Sequence, residues 1–252
     1  MIVPAMLATA FLSGCATSGG GTGESRIDAA ITPTLERAAA EAEAARDYHG
    51  ATGHYRTLLL KSPEDERLVV AVARNQRYAG DMAGALATLD RHLASGKKRN
   101  ADLLSELGKA HLAADHANLA VRFLREAEVL APGNWDIANA LGVAYDYQER
   151  YAEARASYDR ALALSPDNPA ILNNLGLSLA QTGKLDEAHA TLSRAVDQPA
   201  AGAQERQNLA LVLALAGDLP AAERMARKDV SPDVLRHNMT YYRALSTRQR
   251  VN

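Results

Sequence analysis

Cysteine is nearly missing from this chain: Cys15 is the only one in 252 residues, beside two phenylalanines and a single tryptophan. One thiol excludes an intrachain disulfide and any cysteine-rich metal site. Aromatics make up only 5% and alanine dominates, a composition that favours helix over strand. The formal charge is minus 2, from 28 basic against 30 acidic side chains. The basic excess expected of a nucleic-acid binder is therefore lacking. The apolar start, MIVPAMLATAFLSGC at residues 1–15, falls short of the roughly 20 residues that cross a bilayer as a helix.

Catalytic constellations are missing as well. The histidines are His49, His54, His92, His111, His116, His189 and His237, and none form the i, i+4 pair around a glutamate that a zinc-protease helix needs. His111 and His116 are five apart and are expected to diverge on a helix. There is no Gly-Lys-Ser/Thr phosphate loop, and Gly19-Gly20-Gly21 follows no strand. No enzyme activity, no cofactor, no metal, no nucleic acid and no small-molecule substrate is expected.

What the chain does have is a period. In Trp135–Asn168, Leu141-Gly142 is followed by Tyr145, Ala154, Tyr158, Ala161 and Pro166. Moving back 34 residues gives Leu107-Gly108, Ala120, Leu124, Ala127 and Pro132; moving forward gives Leu175-Gly176, Leu179, Ala188, Leu192 and Ala195. The pattern resembles the tetratricopeptide (TPR) repeat, with Ala138 where the repeat's leading Trp would be. Such a unit is a helix-turn-helix that cannot bury its apolar face alone, so units must stack. The resemblance implies an all-α fold, a right-handed TPR superhelix of about six helix-turn-helix repeats.

The expected units are 32–65, 66–100, 101–134, 135–168, 169–202 and 203–236. The first matches in part, through Leu35, Ala51, Tyr55, Leu58 and Pro63, with Ala38-Ala39 in place of Leu-Gly. The second carries one extra residue near Lys97-Lys98-Arg99, a run expected in a solvated loop. Pro132-Gly133-Asn134 and Pro166-Asp167-Asn168-Pro169 punctuate the later junctions. The period is lost near the end, so 237–252 is expected to be a capping segment and tail. Small residues at Gly142, Ala154 and Ala161 are expected to let helices approach, with Tyr145 and Tyr158 filling the space between. Trp135 and His111 are expected to serve packing.

The first residues carry an address. A short apolar run before small residues reads as a secretory signal, and Leu12-Ser13-Gly14-Cys15 resembles the lipobox of bacterial lipoproteins. That resemblance implies a signal peptide over 1–14 and acylation of Cys15, since several acyl chains anchor stably where one is marginal. The positive start usual in such a leader is missing, because no Lys or Arg precedes Arg26. Ala16 after the cysteine implies the outer membrane. Residues 15–31, with the Gly/Ser/Thr-rich TSGGGTGES, are expected to form a flexible tether.

Stacked helical units leave an extended concave surface for binding. The resemblance places positions 2, 5, 9, 12 and 13 of each first helix there. These are Asp102, Ser105, Lys109, Leu112 and Ala113; then Asp136, Asn139, Val143, Asp146 and Tyr147; then Ala170, Asn173, Leu177, Ala180 and Gln181. The second unit adds Arg67, Val70, Arg74, Arg77 and Tyr78, expected to form a basic patch. Asn139 and Asn173 are equivalent, and their amides could donate to and accept from a peptide backbone.

Signal, lipobox, tether and repeats together resemble the small TPR lipoproteins of the tight-adherence (Tad, or Flp pilus) apparatus, and more distantly the pilotins of type IV pili. The closing segment, Leu235 to Leu245 with Asn238 before Tyr241-Tyr242-Arg243, is similar to the end of the tight-adherence lipoprotein. This implies an outer-membrane lipoprotein facing the periplasm whose groove holds a segment of a protein partner, a secretin or another pilus or secretion component. An envelope adaptor that scaffolds cell-wall enzymes or outer-membrane assembly machinery is the alternative.

Overall fold

The computed structural model describes residues 21–249 apart from 95, 97 and 98. The proposed leader, its lipobox and Cys15 lie outside the described residues, as do Lys97 and Lys98. Among the described residues there are thirteen helices and no strand. They run α1 Gly21–Ala44, α2 Tyr48–Lys61, α3 Glu66–Tyr78, α4 Met82–Ala94, α5 Ala101–Ala113 and α6 Ala117–Leu130. Then follow α7 Trp135–Asp146, α8 Tyr151–Leu164, α9 Pro169–Gln181, α10 Leu185–Val196, α11 Ala203–Leu215, α12 Leu219–Ala226 and α13 Pro232–Gln249.

Each helix packs on the one before and the one after it, so α1 to α12 form six hairpins in series. Across hairpins, α3 touches α5, α5 touches α7, α7 touches α9 and α9 touches α11. No contact of comparable extent joins α2, α4, α6, α8 and α10 to one another among the described residues. The odd helices are thus the more crowded row and lie inside the curve of the TPR superhelix.

Local chemistry explains where these helices start and stop. Asp65, Asn100, Asn134 and Asn168 each accept a hydrogen bond from the first turn of the following helix, at Arg67 N, Leu103 N, Asp136 N and Ala170 N over 2.8 to 3.0 Å. Such caps satisfy backbone donors that the helix itself leaves unpaired. Every odd helix from α1 to α11 is followed by one residue at positive φ: Arg46 (59°), Gly80 (83°), Asp115 (60°), Glu149 (57°), Gly183 (77°) and Gly217 (89°). The next N–H reaches back into the helix just ended, from Asp81 to the Gln76 carbonyl and from Arg150 to the Tyr145 carbonyl for example. This left-handed closure turns the chain into the even helix.

The turn at Asp115 overturns one expectation. It folds His116 back over α5, leaving the His111 and His116 Nδ1 atoms 3.4 Å apart, while the His111 ring stacks on Phe123 at 5.3 Å between centroids. The divergence expected on a continuous helix fails because the helix has ended.

Packing between paired helices depends on missing side-chain atoms. A Cβ added at Gly108, Gly142 or Gly176 would fall 2.6, 2.4 and 2.5 Å from Leu124, Tyr158 and Leu192. Ala154 and Ala161 are fully buried and Tyr158 nearly so. The apolar interior divides into two clusters, one from Val69 to Ile137 and one from Ala120 to Tyr242. Trp135 packs partly buried against the second.

Both ends differ from expectation. Helix α1 already begins at Gly21, so residues 21–31 are helical where a flexible tether was expected; a packed helix extends outward more readily than it nucleates. At the other end α13 starts at Pro232, with Val234 N donating to Ser231 Oγ at 3.4 Å. Proline at the first helical position and serine before it make a favourable start, so the cap begins inside the stretch assigned to the sixth unit.

Candidate protein-binding groove

The odd helices carry two depressions on one face. The larger, about 800 Å³, gathers Arg74, Arg77, Asp102, Ser105, Lys109 and Asp136 from α3, α5 and α7, with Tyr78 and Trp135 at its edges. The smaller, about 370 Å³, gathers Val143 and Asp146 from α7, Tyr147 just after it, Tyr158 from α8, and Leu177 and Gln181 from α9. Asn139 and Asn173, the two asparagines expected to meet a peptide, line neither.

The larger depression is not the basic patch that its arginines suggested. Arg67 is paired with Asp65 at 2.8 Å, Arg74 with Glu43 at 2.8 Å, and Arg77 with Glu106 at 2.7 Å. Lys109 is paired with Asp136. Glu43 also accepts hydrogen bonds from Asn75 and Tyr55. Burial would push the Glu43 carboxyl up, but the donors Asn75 and Arg74 outweigh it and hold it below the usual glutamate range. Burial likewise opposes the charge on Arg77, and Glu106 overcomes this. Asp102 and Tyr78 stay exposed, the Tyr78 ring lying 4.4 Å beneath the Arg77 guanidinium and 5.0 Å from Tyr48.

Farther along, the inner row is held by neutral amides. Asn139 is buried and accepts from Asn174 Nδ2 at 3.1 Å; Asn173 is buried and accepts from Asn208 Nδ2 at 2.8 Å. Asn139 and Asn173 therefore fasten α7 to α9 and α9 to α11. Ser105, too, is buried. The reason is crowding: where odd helices touch across hairpins, position 5 of one helix faces the next helix, and its polar group must be satisfied inside the protein.

Asp146 joins three helices. Its two oxygens accept from the Tyr158 hydroxyl on α8 and from Ser178 Oγ on α9, each at 2.7 Å. Burial raises its carboxyl above the usual aspartate range and the two hydroxyls offset only part of this. Burial, with the Asp146 charge adding to it, also pushes the Tyr158 phenol up.

Sequence reasoning missed Glu43, Glu106, Asn174 and Asn208. Asn139 with Asn174, and Asn173 with Asn208, are each 35 residues apart. That offset, one more than the period, was the available signal. A further depression of about 580 Å³ lies between α2 and α4, where Leu59, Leu60, Ala87 and Thr88 line it outside the expected face. Among the described residues no group of three His, Cys, Asp or Glu could hold a metal. No described helix is long and apolar enough to cross a membrane.

Comparison with known proteins agrees with this architecture. Residues 139–206 match the family model described as Tetratricopeptide repeat. No curated protein matches the chain in sequence. Among solved structures, a thermophilic TPR protein of Thermus thermophilus is similar, with a TM-score of 0.67 and 24% identity over 72% of this chain and 98% of that one. The pilF protein of Pseudomonas aeruginosa gives 0.58 and 16% over 78% and 89%. A tetratricopeptide repeat protein from Parabacteroides merdae gives 0.60 and 15% over 86% and 89%. At these identities the likeness concerns the fold, and by its fold this chain is a tetratricopeptide-repeat array.

Proposed function

We propose that the protein is a non-enzymatic outer-membrane lipoprotein that holds a segment of a protein partner along its odd-helix face and supports assembly of a Flp or type IV-like pilus, as a pilotin for the secretin. The observation that carries the binding role is the face itself. It has two depressions, exposed aromatic rings at Tyr78 and Tyr147, and no helix of its own chain covering them among the described residues. A surface that alternates polar and apolar suits an extended or helical peptide. The lipobox-like Leu-Ser-Gly-Cys15 and the closing Tyr241-Tyr242-Arg243 favour the pilus reading. Tyr242 is buried where α13 caps the array, whereas Tyr241 beside it is exposed.

Deleting the gene tests this reading. The expected result is secretin left as monomers and loss of surface pili; normal heat-resistant multimers in the deletion strain would reject the pilotin role. Cys15→Ser should move the protein from the membrane to the soluble envelope fraction, and unchanged membrane retention would reject the anchor.

A further inference from the structure

One partly buried carboxylate on the odd-helix face, that of Asp146, has no ion-pair partner among the described residues. Among the described residues no Lys, Arg or His is paired with Asp146, whose partners are the hydroxyls of Tyr158 and Ser178. Equivalent positions in neighbouring units hold Leu112, Ala180 and Ala214, so stacking does not call for a carboxylate here. Nor do the hydroxyls, since a neutral amide oxygen could also accept. A carboxylate offers about four acceptor sites on two oxygens, and two are used.

The surroundings suit a long cation. Val143 and Leu177 supply apolar wall, and the Tyr147 ring, 60% exposed, stands at the rim of the same 370 Å³ depression. A guanidinium, a carboxylate and an aromatic ring already meet on this face two units earlier. There the Arg77 guanidinium lies 4.4 Å over the Tyr78 ring and 2.7 Å from the Glu106 carboxylate. Asp146 and Tyr147 occupy the places of Arg77 and Tyr78 in their own unit, so here the acid stands where the cation stands there, the ring is kept, and no cation among the described residues is paired with the acid.

We propose that the depression between α7 and α9 receives a basic side chain, arginine by preference, carried by the partner segment that lies along the groove. Its aliphatic stem rests on Val143 and Leu177, its guanidinium donates to the open sites of Asp146, and its plane faces Tyr147. Arginine is preferred because its planar fork matches a carboxylate and stacks on an aromatic ring, whereas lysine acts as a point charge. This rests on the odd-helix face being the binding face, and does not depend on the pilus assignment.

The test titrates the full chain with N-acetyl-arginine amide and with its neutral isostere, N-acetyl-citrulline amide, reading backbone amide chemical shifts. Saturable shifts around Tyr147 and Leu177 are expected with arginine, and binding at least about tenfold weaker with citrulline, the scale of one charge-assisted contact. Asp146→Asn should reduce arginine to the citrulline level. Tyr147→Ala, at an exposed position that leaves folding intact, should weaken it about threefold or more through the lost cation–π contact. Equal shifts from both probes, shifts elsewhere only, or no loss in either variant would overturn the proposal. Such a failure leaves secretin assembly and membrane retention, which are read in cells, untouched.

Discussion

The inner row of helices is fastened by ion pairs at one end and, beside the Ser178 hydroxyl on Asp146, by amides at the other. Glu43 to Arg74, Arg77 to Glu106 and Lys109 to Asp136 link α1, α3, α5 and α7 in turn. Asn174 to Asn139 and Asn208 to Asn173 then link α7, α9 and α11. Geometry is shared, since each staple joins adjacent odd helices, while the chemistry changes at α7. The repeat therefore specifies that a polar link must exist at each junction but leaves its kind open. Charged links respond to pH and salt, amide links do not, so the two halves should fail under different conditions.

The largest break in that comparison should come from Glu106→Gln. Its side chain is 4% exposed and that of Arg77 14%, so the change strands a buried guanidinium and should cost about 3–5 kcal/mol. Thermal or urea unfolding measures this, and an unchanged midpoint would mean the pair is solvated in solution. Asn173→Ala comes next. It leaves the Asn208 amide without its acceptor and should cost about 1–3 kcal/mol, with the same loss at low and high salt. A loss that shrinks with salt would remove the distinction between the halves.

Gly142→Ala should cost somewhat less, about 1–2 kcal/mol net. The new Cβ would meet a Tyr158 ring held in place by Asp146, against a helix-propensity gain of about 1 kcal/mol. Gly176→Ala, whose new Cβ would meet only the Leu192 side chain with no such tether, is the control and should be milder in the same melt.

Acid should give the smallest effect and the sharpest contrast. The Glu43 carboxyl is held below the ordinary value of 4.5, so its contribution is complete above that value and is lost as pH falls through the lower folded one. The Asp146 carboxyl is raised, so its ionisation weakens the fold above its folded value, and acid relieves that penalty. Amide exchange should therefore rise at the α1–α3 junction on acidification while α7–α9 stays protected. Equal loosening at both would contradict the assignment.

Much of the fold was legible because small residues recur where helices meet. Gly108, Gly142 and Gly176, Ala154 and Ala161 mark contacts that admit nothing larger, and a 34-residue spacing carries them into register. The face that the odd helices share was legible for the same reason: positions fixed in each unit fall on one side of the array. Asn139 and Asn173 were misread because a periodic polar residue looks alike in sequence whether it faces water or the next helix. The arginines of α3 were misread as a patch because Glu43 and Glu106 lie 31 and 29 residues from their partners, outside any single unit.

The sequence by itself determined that helical hairpins repeat and must stack, since the spacing of small and apolar residues follows from helix geometry. Which polar side chains remain available to a partner was decided only by the tertiary structure. Availability depends on what the neighbouring hairpin brings within hydrogen-bond reach: Arg77, Asn139 and Asn173 are consumed by that neighbour, whereas Asp146 meets only the hydroxyls of Tyr158 and Ser178 among the described residues.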